Sequence, residues 1–281
     1  MNAVDPAATP DRASSSTGFF DRAFGASSDD LTRVIRQEAF GEDIGQFSWT
    51  TADEHRRFQE LLGVDATSSV LDVACGSGGP GLFLARSTGC RVVGVDIHEA
   101  GVVAANESAA REGLADRAMF HVHDARERFP FDDATFDAII SIDSINHVFS
   151  RGPMFAEWRR MLRPGGRVLY TDAVVVTGPL RREDMLARSG SMGEFVFTPY
   201  GADEPLLRAA GFVDIHVDDV TDNIAAVAGR WHAARGRLAR ELDASEGPDA
   251  NSAFQDFLAT VHRLATDRRL SRFAYTARRP V

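Results

Sequence analysis

The residues with the clearest chemical potential lie in Val70-Leu-Asp-Val-Ala-Cys-Gly-Ser-Gly-Gly-Pro-Gly81, which holds a G-x-G-x-x-G pattern at Gly76, Gly78 and Gly81. Glycines there let a chain turn sharply out of a strand and let a ligand approach the backbone, while Pro80 suits the first turn of a following helix. Asp96 closes the next apolar run, 20 residues after Gly76, the place of a ribose-binding acid in such a unit. The pattern fits either a nicotinamide dinucleotide or an adenosyl sulfonium cofactor. Asp72, just before the loop, would repel a pyrophosphate but favour a cationic ammonium or sulfonium. No Arg lies between Val70 and Ala85, and the unit begins behind about seventy residues that could form a lid. Further along, Asp143, Asn146, His147 and Asp172 fall at the ends of the fourth and fifth apolar runs. His121, His123 and Asp124 form another polar cluster, but without a third metal ligand they read as structural.

Composition narrows the chemistry. All 31 basic residues among the 281 are arginine. The absence of lysine excludes Schiff-base catalysis and the phosphate-binding loop that requires a lysine. Two cysteines, Cys75 and Cys90, cannot build a disulfide framework, which points to a reducing cytoplasm. The polar, Pro- and Ser-rich start lacks a secretory pattern, and no apolar run is long enough to span a membrane. The net charge of -10 argues against nucleic-acid binding, and the Arg surplus after Arg230 sits in i,i+4 pairs such as Arg237/Glu241 that describe solvated helix faces.

These residues need a scaffold. Short apolar runs (VLDVA, RVVGVDI, AMFHVHD, FDAIISI, GRVLYTDAVVV) alternate with helical stretches closed by Gly or Pro, the signature of an α/β parallel sheet covered on both faces. We expect a flexible leader over 1–17, a helical cap over 18–68, a Rossmann-like cofactor-binding core over 69–176, and over 177–281 the remainder of the sheet with substrate-lid insertions. The late part includes two amphipathic helices, from about Asp222 to Leu242 and from about Ser252 to Arg268, then a final strand LSRFAYTARR. The apolar N-terminal helix and the late insertion favour a homodimer or higher homo-oligomer.

The stretches VLDVACGSGGPG, VVGVDIHEAGV, FHVHDARERFPFDDATFDAIISIDSINHV and MLRPGGRVLYTD, covering Val70 to Asp172, resemble the class I S-adenosylmethionine-dependent methyltransferases. The resemblance is to their bacterial small-molecule branch, which includes ubiquinone/menaquinone, sarcosine/dimethylglycine and natural-product sugar O-methyltransferases. It implies a Rossmann-like seven-stranded sheet whose final strand is antiparallel. It further implies that S-adenosyl-L-methionine is the cofactor and S-adenosyl-L-homocysteine the product. Asp72, Gly76 and Gly78 would hold the methionine part, Asp96 the ribose, Ile97 the adenine face, and Asp124 with Ala125 the adenine edge. Phe47 and Trp49 occupy the family's aromatic segment over the cofactor, where some relatives carry Tyr. In the sugar O-methyltransferases the positions of Asn146 and His147 carry a His-His pair, so the resemblance makes His147 the general base, Asp172 its orienting partner and Asn146 a hydrogen-bonding residue. Asp143 and Asp172 also permit a Mg²⁺ reading, but a third oxygen ligand is lacking, and no metal site is assigned.

Substrate contacts are expected from Phe19, Phe20, Phe195, Tyr200 and Trp231, with Arg188 in the same lid segment. This aromatic, mostly uncharged set suits an apolar or aromatic small molecule. The reading is methyl transfer to a bacterial secondary metabolite, at oxygen before carbon and carbon before nitrogen. The alternatives are cyclisation on the same fold, alone or after C-methylation, and NAD-dependent oxidoreduction resting on the glycine pattern alone.

Overall fold

Strands form where the sequence offers short β-branched runs. The computed structural model describes residues 13–25, 29–189 and 195–281. Its sheet contains β1 (Ser69–Val73), β2 (Arg91–Asp96), β3 (Ala118–Val122), β4 (Phe136–Ser141), β5 (Leu162–Val176), β6 (Thr198–Pro199), β7 (Val213–Asp219) and β8 (Leu270–Arg278). The order is β3-β2-β1-β4-β5-β8-β7, with β6 pairing on β5. The first five strands run parallel, and β8 inserts antiparallel between β5 and β7. The expected seven strands are therefore present as one path, and the two-residue β6 is an addition to it.

Alternation along the strands divides the core into two layers. Leu71, Val73, Ile139, Val168 and Tyr170 face α6 (Arg151–Met161) and α8 (Asp203–Ala209), where Phe155, Trp158 and Leu207 are buried. Val70, Val92, Ala138, Ile140 and Leu169 face α3 (Ala52–Leu62), α4 (Gly79–Thr88) and α5 (Glu99–Arg111), packing on Phe58, Leu84 and Ala105. Each fully buried large side chain stabilises the fold by about 1.5–3 kcal/mol.

A third apolar cluster joins the two ends of the chain. Ile35, Ala39 and Phe40 of α2 (Asp30–Phe40) pack with Val227 and Trp231 of α9 (Thr221–Arg237) and with Phe257 and Leu258 of α11 (Pro248–Thr266). The insertion expected as two helices is three, because α10 (Ala239–Glu246) stands apart from α9 at Leu238 and from α11 at Gly247, whose φ is 89°. Asn251 pins this corner, accepting from Arg235 Nη2 at 2.9 Å and donating to Asp243 Oδ1 at 2.9 Å. At the other end, α1 (Ala13–Gly25) begins inside the span expected to be a flexible leader; residues 1–12 of that span lie outside the described residues.

A buried ionic knot fastens the cap to the sheet. Arg272 on β8 donates through Nε to Asp143 Oδ1 at 2.7 Å, through Nη1 to Glu54 Oε1 and Oε2 at 2.8 and 2.7 Å, and through Nη2 to Thr50 Oγ1 at 2.7 Å. Asp143 Oδ2 accepts from the Trp49 N–H at 2.8 Å. Burial acts to lower the Arg272 guanidinium, but the charges of Asp143 and Glu54 outweigh it and hold it above the ordinary arginine range. Burial also raises the Glu54 carboxyl, against the opposing pull of Arg272.

Candidate active site

A cavity of about 400 Å³ opens at the carboxyl ends of β1, β2, β4 and β5, within the size range of small-molecule sites. Its floor is made by the loops after these strands, the usual place for a ligand in an open parallel sheet. Phe20 and Phe24 of α1, the 45–49 segment and residues from α7 (Arg182–Ser189), α9 and α11 form the remaining walls.

The glycine loop sets the geometry of one end. Gly78 has φ 79°, and a Cβ there would lie 2.7 Å from the Ala105 Cβ, so this position turns the loop and lets α5 pack beneath it. The Gly76 N–H donates to Asp96 Oδ2 at 2.7 Å, and the His98 N–H donates to Asp96 Oδ1 at 2.8 Å. Two backbone donors thus fix the carboxylate plane while its remaining lone pairs can still accept hydroxyls. Burial pushes the Asp96 carboxyl up, and the two N–H donors oppose that shift. Asp72 is 2 % exposed and its Oδ2 has no hydrogen-bond partner. Burial, reinforced by the charge of Asp96, raises its pKa to about 8. An unpartnered buried carboxyl beside a concave glycine loop fits a cationic ligand, which would restore its ionised form.

The structure brings Phe47, Trp49, Asp72, Gly76, Asp96, Ile97, Asp124 and Ala125 to one cavity. Asp124 is held by Arg126, whose Nε lies 2.9 Å from Oδ1, and this pairing keeps the carboxyl below its ordinary range. Gly78 does not line the cavity and acts through the turn.

In the same cavity, His147 closes a 3₁₀ turn, Ile145–His147. Its ring lies 4.7 Å from Phe195 and 5.8 Å from Phe20. Asn146 is buried, with Oδ1 lacking a hydrogen-bond partner. Its carbonyl accepts from the Val196 N–H at 2.7 Å and draws the segment carrying Phe195 over the site. Trp231 also lines the cavity.

Three expected site residues stand elsewhere. Asp172 is wholly buried and does not line the cavity: Oδ2 accepts from Arg151 Nη2 at 2.7 Å and Oδ1 from the Val174 N–H at 2.9 Å. Arg151 reaches it from α6 and also binds Asp203 at 2.6 Å, so this strand-end acid joins helix to sheet. Phe19 sits behind the wall against Phe20, Phe47 and Phe254. Tyr200 is 60 % exposed and packs on Phe273, away from the lining.

Other lining aromatics carry no individual sequence signal. Phe24, Phe254 and Phe257 resemble ordinary core aromatics until the tertiary fold gathers them. Arg188 is 2 % exposed and faces the cavity with its guanidinium 4.7 Å from the Phe195 ring centre and 5.0 Å from that of Phe257. Burial lowers its pKa to about 10, against the charges of Asp143 and Asp172, so it remains cationic at neutral pH. Among the described residues, no group of three His, Cys, Asp or Glu side chains converges in a metal-binding arrangement, and no helix is long and apolar enough to cross a membrane.

A parallel sheet closed by an antiparallel strand, with a glycine loop and a backbone-anchored acid at its carboxyl edge, is the Rossmann-like arrangement of methyltransferases. Residues 70–166 match the family model described as a methyltransferase domain. The chain is 28% identical over 230 residues to the 27-O-demethylrifamycin SV methyltransferase of Amycolatopsis mediterranei, a match covering 80% of this chain and 82% of that one. Two solved structures share the fold. A phosphoethanolamine N-methyltransferase 2 of Haemonchus contortus, in complex with phosphomonomethylethanolamine and S-adenosylhomocysteine, aligns with a TM-score of 0.78 at 22% identity, over 93% of this chain and 60% of that longer one. The [4+2]-cyclase SpnF aligns with a TM-score of 0.72 at 23% identity, over 95% and 97% of the two chains. Over residues 70–166 the chain thus carries a methyltransferase domain, and its whole fold is that of the S-adenosylhomocysteine-bound methyltransferase structure it aligns with.

Proposed function

We propose that the protein binds S-adenosyl-L-methionine at the Asp72–Asp96 end of the cavity and methylates a small, largely apolar or aromatic metabolite, at an oxygen atom. The observation that carries this reading is the placing of His147 in the same cavity as the backbone-anchored Asp96, with Phe20 and Phe195 beside the imidazole. When bound, the cofactor supplies an electrophilic methyl group on a sulfonium, and its departure leaves S-adenosyl-L-homocysteine. The residues of this chain do the rest. Asp96 accepts the ribose hydroxyls, Ile97, Asp124 and Ala125 border the adenine, and Asp72 faces the cationic end. Phe47 and Trp49 cover the cofactor and exclude water. His147 takes the proton of the acceptor hydroxyl, which makes the oxygen nucleophilic as it meets the methyl carbon, and Asn146 Oδ1 offers a hydrogen-bond acceptor beside it. Asp172 enters only indirectly, holding the end of β5 through Arg151. Positioning in a dry cavity supplies much of the remaining acceleration.

The similarity to a rifamycin-pathway O-methyltransferase over most of both chains supports oxygen as the acceptor atom and a bacterial secondary metabolite as its bearer. Two buried, unbridged cysteines support a cytoplasmic setting. Calorimetric titration tests the cofactor: nanomolar to micromolar binding of S-adenosyl-L-homocysteine with indifference to NAD is expected, and the reverse would overturn the reading. The alignment with SpnF over nearly the whole of both chains favours a second reading, cyclisation within the same cavity. Product mass separates them, since transfer adds one methylene and an isomerisation adds nothing.

A further inference from the structure

We infer that the acceptor is a monoanion whose carboxylate-type oxygens are bound by Arg188. This rests on the proposed methyltransferase reading and specifies its substrate class. Arg188 is 2 % exposed and lines the cavity, and among the described residues it makes no hydrogen bond or ion pair; its Nη1 is buried without a partner. A buried, unpaired guanidinium is costly to keep unless a ligand completes it. The carboxylates nearest in charge are already committed, Asp143 to Arg272, Trp49 and Thr171, and Asp172 to Arg151 and Val174.

Phe195 and Phe257 stack on the guanidinium and hold it in place without consuming its N–H donors. The planar fork then remains open for the bidentate geometry that a carboxylate offers. A phosphate dianion is the poorer match, because the other lining arginine, Arg126, is spent on Asp124. The same Phe195 ring touches both Arg188 and His147. A charged oxygen on Arg188 would therefore orient a short aromatic acceptor with its hydroxyl toward His147.

The experiment compares 2-naphthoate with its neutral counterpart 2-naphthamide, titrated into the full-length protein saturated with S-adenosyl-L-homocysteine and followed by quenching of the cavity residues Trp49 and Trp231. Naphthoate is expected to bind at least tenfold more tightly than naphthamide. In Arg188→Met that preference falls to within twofold, Arg188→Lys retains part of it, and S-adenosyl-L-homocysteine affinity is unchanged in both variants. Equal binding of the two probes to the wild type, or binding of neither at millimolar concentration, overturns the proposal without any variant. A preference that survives in a folded Arg188→Met also overturns it. Loss of S-adenosyl-L-homocysteine affinity in Arg188→Met with the probe preference intact would assign Arg188 to the cofactor carboxylate instead. Failure of the wild type to bind S-adenosyl-L-homocysteine would sink the methyltransferase reading; the naphthoate comparison on the ligand-free protein would then judge Arg188 separately.

Discussion

Replacing Arg272 with methionine keeps most of the buried aliphatic volume and removes the charge at the centre of the cap's ionic knot. Asp143 and Glu54, with side chains 5% and 9% exposed, lose their shared cation. Glu54 keeps only the Asn223 Nδ2 donor at 2.8 Å, and Asp143 keeps the Trp49 N–H and the Thr171 hydroxyl. Removing one partner of a buried ion pair costs about 3–5 kcal/mol. At about 2–4 °C per kcal/mol for chains approaching this size, the melting temperature should fall by roughly 6–20 °C. The loss has a pH signature. A carboxyl raised by burial binds more protons folded than unfolded, so its contribution to stability declines as pH rises from its ordinary value toward the raised one. Without Arg272 the Glu54 carboxyl rises further, and the deficit of Arg272→Met should be larger at pH 8 than at pH 5. Scanning calorimetry at both values measures it, and Glu54→Gln/Asp143→Asn/Arg272→Met should recover part of the loss. A variant melting within 2 °C of the wild type at pH 8 would refute the claim that this knot carries the cap.

Other consequences follow from the site. With its pKa at about 8, Asp72 is largely protonated at pH 7, so uptake of the cationic cofactor should release close to one proton; calorimetry in two buffers of different ionisation enthalpy reads this, and zero release would contradict the assigned role. Asp72→Asn should abolish the release and weaken cofactor binding. His147→Ala should lower turnover by about 10²–10⁴-fold while S-adenosyl-L-homocysteine binds as before; wild-type turnover would leave the imidazole no role as base. A Cβ at Gly79 would stand 2.3 Å from the Gly45 carbonyl, so Gly79→Ala should cost about 1–3 kcal/mol and weaken cofactor binding, measured by urea unfolding and titration; unchanged stability would mean that the 45–49 segment is free to retreat.

The sheet and the convergence of the glycine loop with Asp96 at its carboxyl edge are legible in the sequence because local signals specify them. Each parallel strand is an apolar run, and the glycine loop and Asp96 carry their own spacing. The knot left no such trace, since Arg272 meets Asp143 and Glu54 across 129 and 218 residues. Asp172 illustrates the opposite error. Its strand-end position suggested chemistry, but Arg151, one helix earlier in space, claims its carboxylate. The sequence places Arg188 in the lid segment without a partner, and only the packing of α11 against α7 shows its guanidinium buried against Phe195 and Phe257. The break between α10 and α11 was marked by Gly247-Pro248, in the gap between the two helices expected there.

The knot also orders events during synthesis. The five parallel strands β1 to β5 are complete by residue 176, and domains tend to fold as their residues leave the ribosome. Arg272 emerges nearly a hundred residues later, so a nascent chain holds the glycine loop well before it can clamp Trp49 and Glu54 against Asp143. The cap over the pocket is therefore fastened only once Arg272 has been made. A ligand that recognises only the fastened state stabilises it by mass action, so a bound cofactor should protect chains that carry the Arg272 clamp from proteolysis and leave those without it exposed.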